Sequence, residues 1–345
     1  MRCRTLILLA LVACPARAAA ADDVSIAVGR DAVAFKVGTA VVAKYAVAES
    51  VAKPYLYPVL APNGVPVTRA WPVEKGAPGQ ATTDHVHQKS VWFCHGDVIP
   101  DGVELKVKSA DKGVKGVDFW SEAEDKDGTA RHGTIKCVKV GKPVQHANNH
   151  ASVETVNEWL TPDGVKILDE VRTVHLTDTE EGRLFAFDIV LKASVCPVAF
   201  GDTKEGSFGI RVHDALRPSE KTGGTVTTAD GKAAAPPARD LPPMPFWGYP
   251  TAWIDYSGTV GGKAVGVAVF DHPKNPPASW HVRAYGLNAA NPFGRARSGF
   301  PSQKDKTDLF KIAKGGELKL KYAVYAHTGD AKAGKVAEAF EAFAK

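Results

Sequence analysis

Methionine and cysteine are scarce in this 345-residue chain, with two and five residues respectively. Cys3 and Cys14 fall in the first twenty positions, which leaves Cys94, Cys137 and Cys196. None of these sits in a CxxC or other tight metal spacing, so a zinc ribbon is excluded. In an oxidising compartment two of the three can pair. Their spacing does not choose the pair, and all three read equally well as buried thiols. The chain also lacks a Gly-rich phosphate loop, a GxSxG elbow and an HExxH helix. These absences set aside the common nucleotide-binding, serine-esterase and zinc-protease readings. Nothing after the first twenty residues approaches the roughly 18 apolar residues in a row that a membrane helix needs. No repeat recurs at a period of about 20–50 residues. Charge of one sign is missing as a block too: 43 basic and 38 acidic residues are mixed along the chain, so nucleic acid is not an expected partner.

What is present begins with MRCRTLILLALVACPARAAA. Arg2 and Arg4 precede the short apolar stretch from Leu6 to Ala13, and small residues follow with Ala18 and Ala20 at peptidase spacing. That layout predicts an export signal over residues 1–20 and a periplasmic or extracellular protein. Leu11-Val12-Ala13-Cys14 also reads as a lipoprotein box, which would anchor the chain at Cys14, although Pro15 fits that reading poorly.

The remaining chain, 21–345, is expected to be one β-sandwich domain. Val24–Val28 and Ala32–Val37 are β-branched runs around Gly29-Arg30-Asp31, a hairpin pattern. Ser152–Leu160 and Val165–His175 flank Thr161-Pro162-Asp163-Gly164, a turn that joins antiparallel strands. Arg183–Leu191, Ala264–Phe270 and Leu318–Ala326 alternate in the same style. Short strands with regular turn signals favour a sandwich or barrel over a βαβ fold. Only the end is helical by period: beyond Asp330, read as its cap, Val336, Phe340 and Phe343 recur at i, i+4 and i+7. An irregular excursion is expected over about 217–250, where Pro236, Pro237, Pro242, Pro243 and Pro245 are too dense for a sheet interior.

Three segments concentrate chemistry. Asp84-His85-Val86-His87 leads through Val91-Trp92-Phe93 to His95. In an extended chain His85 and His87 share a face about 7 Å apart, suited to acid–base work or to a shared divalent metal. Asp84 can orient one imidazole. The second segment holds Lys204 and Glu205, either of which serves as acid or base if burial shifts it, then Arg211 and His213 on one strand face. The third holds Asp271 and His272 at a strand end, then Trp280, His281, Arg283 and Tyr285. Rings beside Arg, His and Asp suit a sugar, whose C–H faces stack while its hydroxyls need polar partners.

These segments resemble a family of exported bacterial proteins labelled methane oxygenase PmoA, or PmoA-like. The stretches that carry the resemblance are PYLYPVLAPNGVPVTRAWP (54–72), DHVHQKSVWFCHGDV (84–98), FGDTKEGSFGIRV (200–212), WIDYSGTVGGKAVGVAVFDHPKNP (253–276) and WHVRAYGLNAANPFG (280–294). They cover most of the chain. Gln88 stands where the family often has a third histidine, and 233–245 looks like an insertion. The strand-rich layout is similar to the galactose mutarotase-type supersandwich. That similarity implies an antiparallel β-sandwich, to which the helical period adds a C-terminal helix, and in mutarotases the acid–base pair is a His and a Glu.

The expected function is a carbohydrate-active hydrolase or lyase. Catalysis is expected from His85, His87, His95, Lys204, Glu205 and His281, and binding from Asp84, Arg211, His213, Asp271, His272, Trp280, Arg283 and Tyr285. The partner is then a sugar or glycan, and a divalent metal, if used, would sit on His85 and His87. The alternatives are a carbohydrate-binding protein without chemistry and, as the label of the resembled family implies, a metal-dependent oxidoreductase.

Overall fold

The computed structural model describes residues 23–234 and 246–345. The export signal, the lipoprotein box and the prolines from Pro236 to Pro245 lie outside the described residues. Val24–Val28 and Ala32–Val37 form the expected antiparallel hairpin, with Ile26 opposite Phe35. His150–Leu160 and Lys166–Asp178 pair antiparallel around Thr161–Gly164, where Gly164 takes φ +83° as the turn requires. Two large sheets and one small one result.

The first large sheet runs in the spatial order Val24–Val28, Ala32–Val37, Ala40–Ala46, Tyr55–Val59, Val91–His95, Gly206–Arg211, Leu287–Asn291, Ser279–Val282. The second runs Ala233–Ala234, Thr225–Thr228, Trp253–Val260, Lys263–Asp271, Glu317–Thr328, Gly182–Lys192, Lys166–Asp178, His150–Leu160, Thr134–Val140, with Val144–Ala147 also on His150–Leu160. Phe310–Ile312, Val198–Phe200 and Val98–Pro100 make the small sheet. All the pairings are antiparallel. Among the described residues no helix is long and apolar enough to cross a membrane.

Two local expectations need correction. Thr225–Thr228 lies inside the 217–250 excursion yet joins the second sheet, paired to Trp253–Val260; the four residues Thr-Val-Thr-Thr are good strand formers and Val226 is buried. The helix is Val336–Phe343, and Asp330 does not cap it. Its carboxylate accepts from the backbone of Lys332 and Ala333 in the preceding turn, and Lys335 is the residue at the helix start. Of the two readings open for the cysteines, the free thiols hold: Cys94, Cys137 and Cys196 are unpaired among the described residues. Burial pushes the Cys94 thiol up to about 12, so it is a core residue rather than a reactive one.

The core lies between the large sheets. Phe208 stacks on Tyr322 at 4.9 Å, and Phe93 meets Trp159 and Tyr322 at 6.0 and 6.3 Å. A buried ionic group crosses the same space. Glu170 pairs with Arg172 and accepts from Trp159 Nε1 at 2.7 Å, while Arg172 Nη1 donates to Tyr45 Oη at 2.9 Å. Each buried large apolar side chain contributes about 1.5–3 kcal/mol. A buried ion pair roughly balances its own desolvation. The aromatic layer therefore supplies the stability, and the Glu170–Arg172–Tyr45 group fixes how one sheet sits on the other.

Candidate active site

The cavity that gathers most of the expected catalytic residues lies on the outer face of the first sheet. Strand pairing puts Trp92, Gly209, Ala289 and His281 side by side across four strands. Their neighbours Phe93, Phe208, Ala290 and Trp280 point the opposite way, toward the second sheet, as the two-residue period demands. Gly209 and Ala289 are small and leave room above the sheet; a Cβ on Gly209 would stand 2.9 Å from the Trp92 ring. The segment from Ala110 to Ala123 folds over this face and brings Asp118, Trp120 and Ser121. The space enclosed is about 560 Å³, lined by His85, His87, Gln88, Lys204, Glu205, His281, Arg283 and Tyr285 among others.

His85 and His87 reach it together, although not as neighbours on a strand. His85 has φ +46° and its carbonyl accepts from the Gln88 amide at 2.9 Å, so residues 85–88 form a turn. The two rings meet edge to face at 5.8 Å. Asp84 is the anchor of this turn. Its Oδ1 accepts from Arg69 Nη1 at 2.6 Å and Arg211 Nη2 at 2.9 Å, and its Oδ2 accepts from His85 Nδ1 at 2.7 Å. Both arginines are buried. Partial burial opposes ionisation of Asp84. The hydrogen bond from His85, the charge of Arg211 and the hydrogen bond from Arg69 outweigh it and hold the carboxyl well below the usual carboxylate range. Because Nδ1 of His85 is committed to Asp84, Nε2 is the nitrogen left for exchange with a ligand. Tyr285 fixes the ring plane: His85 stacks on it at 4.9 Å and the Arg211 guanidinium lies 4.6 Å from its centre.

Lys204 and Glu205 enter from the loop before Gly206–Arg211. They pair with each other, and Glu205 keeps 28 % of its side chain exposed. His281 Nδ1 donates to the Lys204 carbonyl at 2.9 Å and lies 3.8 Å from Glu205 Oε2. Burial pushes His281 down to about 4, so the ring is neutral at pH 7. Burial works against ionisation of Glu205 as well, yet the positive groups around it keep its carboxyl lowered. With His281 neutral, Lys204 is the cation that does so at pH 7. His87 is also pushed down to about 4, by burial and then by the Lys53 and His85 charges. Arg283 lies over Trp247 and Tyr285, each at 5.5 Å.

Five expected site residues lie elsewhere. His95 is wholly buried, with Nε2 at 2.8 Å from the Gly201 carbonyl and its ring against Phe200 and Phe293; it sits at the far end of Val91–His95, packed into the protein. Trp280 has the opposite parity to His281 and donates from Nε1 to the Thr251 carbonyl in the core. His213 follows the end of its strand, accepts from the Ala215 amide at 3.1 Å, and lines a different cavity. Asp271 and His272 belong to the second sheet, beside Asn275 and the C-terminal helix. The strand carrying Asp271 pairs with Glu317–Thr328, not with the strand carrying His281. The cavity that His213 lines is larger, about 690 Å³, but its walls are mainly Pro, Val, Ala and Gly, with Tyr57, Glu74, His213 and Lys263 as its ionisable residues. Asp118, Trp120, Gln88 and Arg69 are site components that sequence reasoning missed.

The chain is thus an antiparallel β-sandwich with an ionisable cleft on one outer sheet face. It belongs to a family of unknown function, DUF6807, whose model matches residues 32–341. No curated protein matches it in sequence. Among solved structures it is similar to a family GH36 α-galactosidase from Geobacillus stearothermophilus, with TM-score 0.41, 8% identity, and coverage of 88% of this chain and 41% of that one. It is also similar to a galactose mutarotase-like protein from Clostridium acetobutylicum, with TM-score 0.39, 11% identity and coverage of 89% and 99%. A glycoside hydrolase family 97 enzyme from Pseudoalteromonas sp. strain K8 gives TM-score 0.37, 11% identity and coverage of 84% and 34%. The chain spans about two fifths of the length of the α-galactosidase.

Proposed function

We propose that the chain is a carbohydrate-active enzyme of hydrolase or lyase type, working by proton transfer in the 560 Å³ cleft. The observation that carries this reading is the pairing of two different proton carriers on one cavity. His85 is held by Asp84 through Nδ1, which leaves Nε2 to exchange a proton. Glu205 is kept ionised by Lys204 and is partly open to the cavity. In this reading Glu205 accepts a proton while His85 Nε2 donates one to the leaving oxygen. The neutral ring of His281 holds the 204–205 backbone in place, and His87, Gln88 and Arg283 offer polar atoms to sugar hydroxyls. The leader expected over residues 1–20 makes the periplasm or exterior the proposed compartment.

The test is a panel of polysaccharides and oligosaccharides incubated with the purified chain. Reducing ends are read for hydrolysis and unsaturated product for elimination, alongside His85→Ala and Glu205→Gln. Turnover lost in both variants supports the reading. Saturable binding without turnover replaces it with a carbohydrate-binding protein. Turnover that survives both substitutions overturns the assignment of the proton carriers.

A further inference from the structure

Three histidines outside the cleft meet on the second sheet. His146 lies on Val144–Ala147, His150 opens His150–Leu160, and His175 lies on Lys166–Asp178. Val174 and Leu176 are buried between the sheets, so the alternation of the strand turns His175 to the outer face. The register sets Thr177 opposite His150 and Ser152 opposite His175, which puts the two imidazoles on a diagonal across adjacent strands. One ligand atom from each of the three lies within 4.8 Å of the other two.

The detailed geometry is that of a ligand set. His150 Nε2 and His175 Nδ1 are 3.2 Å apart. Two nitrogens bound at about 2.0–2.1 Å to a tetrahedral zinc stand roughly 3.3 Å apart. The other nitrogen of His175, Nε2, faces Asp188 Oδ2 at 3.1 Å. A carboxylate there takes the Nε2 proton as its hydrogen bond and leaves Nδ1 unprotonated on the side of the other rings, the arrangement that orients metal-bound histidines. His146 stacks on His150 at 4.4 Å and shares a hydrogen bond between Nε2 and Ser152 Oγ at 2.8 Å. Imidazoles without thiolates suit zinc, copper or nickel.

We propose that His146, His150 and His175 form a binding site for a divalent transition-metal cation, with Asp188 positioning His175. The ion would tie together the strands Val144–Ala147, His150–Leu160 and Lys166–Asp178 and keep one coordination position toward water. The site shares no residue with the cleft, and nothing in it depends on the chemistry proposed there.

The test uses the tag-free full chain, stripped with chelator and titrated with Zn²⁺ by calorimetry and with Co²⁺ by absorption. The expected result is one ion per chain, intense visible Co²⁺ bands of a four-coordinate site, and a higher thermal midpoint with Zn²⁺. His150→Ala and His175→Ala should abolish saturable binding. Asp188→Asn leaves all three imidazoles in place and should weaken binding by about 10–100-fold. His85→Ala should bind as the wild type. A wild-type chain without saturable binding overturns the proposal, as does binding lost in His85→Ala instead. If the alanine variants lose the β-sheet circular dichroism signal, Asp188→Asn decides: unchanged affinity in a folded Asp188→Asn chain refutes the ligand set.

Discussion

Replacing Asp84 by Asn removes one negative charge from a node that faces two buried guanidiniums. In the wild type one oxygen of Asp84 serves Arg69 at 2.6 Å and Arg211 at 2.9 Å, and the other serves His85 at 2.7 Å. Each hydrogen bond to a charged group contributes about 1.5–3 kcal/mol, so the two arginine contacts together set an upper figure of roughly 3–6 kcal/mol. Two features reduce it. Asp84 keeps 41 % of its side chain in water, and Arg69 retains an acidic neighbour through Thr82, whose hydroxyl donates to Asp214 at 2.9 Å. The expected loss is therefore about 2–3 kcal/mol. Urea denaturation at pH 7 reads it as a lower midpoint with an unchanged slope. The sign with pH is fixed by the direction of the shift. The folded carboxyl titrates below its unfolded value of about 3.9. Its contribution is thus complete above that value and is lost as the pH falls through the lower folded value. The gap between wild type and Asp84→Asn should be full at pH 7 and should shrink below about pH 4. A gap under about 0.5 kcal/mol at pH 7, the range of an ordinary surface change, would refute the reasoning.

Three further outcomes are expected. His85→Ala should lower turnover on an identified glycan by about 10²–10⁴-fold in a chain that stays folded, whereas His95→Ala, made in the core against Phe200 and Phe293, should lower the thermal midpoint more than His85→Ala does; the two measurements are steady-state rate and thermal denaturation. Glu170→Gln leaves Arg172 buried without its anion and should cost about 3–5 kcal/mol in urea. Burial pushes the Asp271 carboxyl up to about 7, so the wild type should lose stability as the pH rises from about 4 through 7, and Asp271→Asn should be more stable than wild type at pH 8 by roughly 2–4 kcal/mol but not at pH 4.

The fold was legible because its strands carry local signals. Val24–Val28 with Ala32–Val37, and His150–Leu160 with Lys166–Asp178, announce themselves by alternation and by the turn residues between them. Thr225–Thr228 was not legible. The stretch is only four residues long among glycines and near prolines, and it becomes a strand because Trp253–Val260 offers an unpaired edge. The helix start was misplaced for a similar reason. Asp330 has the chemistry of a cap, but its acceptors are used by the turn that precedes the helix.

The site was legible only where side-chain parity could be counted along one strand. His281 and Arg283 share parity and line the cleft together, although Arg283 stands one residue past Ser279–Val282. The same count failed past Gly206–Arg211. His213 continues the parity of Arg211, but the strand stops at Arg211 and the chain turns into Asp214–Leu216. His85 and His87 meet through a turn with positive φ, so their proximity owes nothing to the extended geometry that suggested it. Asp271 was placed in the cleft because a polar residue ends a strong strand there. Which sheet that strand joins is a matter of pairing with Glu317–Thr328, some fifty residues away in sequence and invisible to any local pattern. Trp120 and Arg69 were missed for the converse reason. One sits in a segment without periodicity and the other beside no other ionisable residue, and each becomes a site component only when the sheet brings His281, or Asp84 and Arg211, against it.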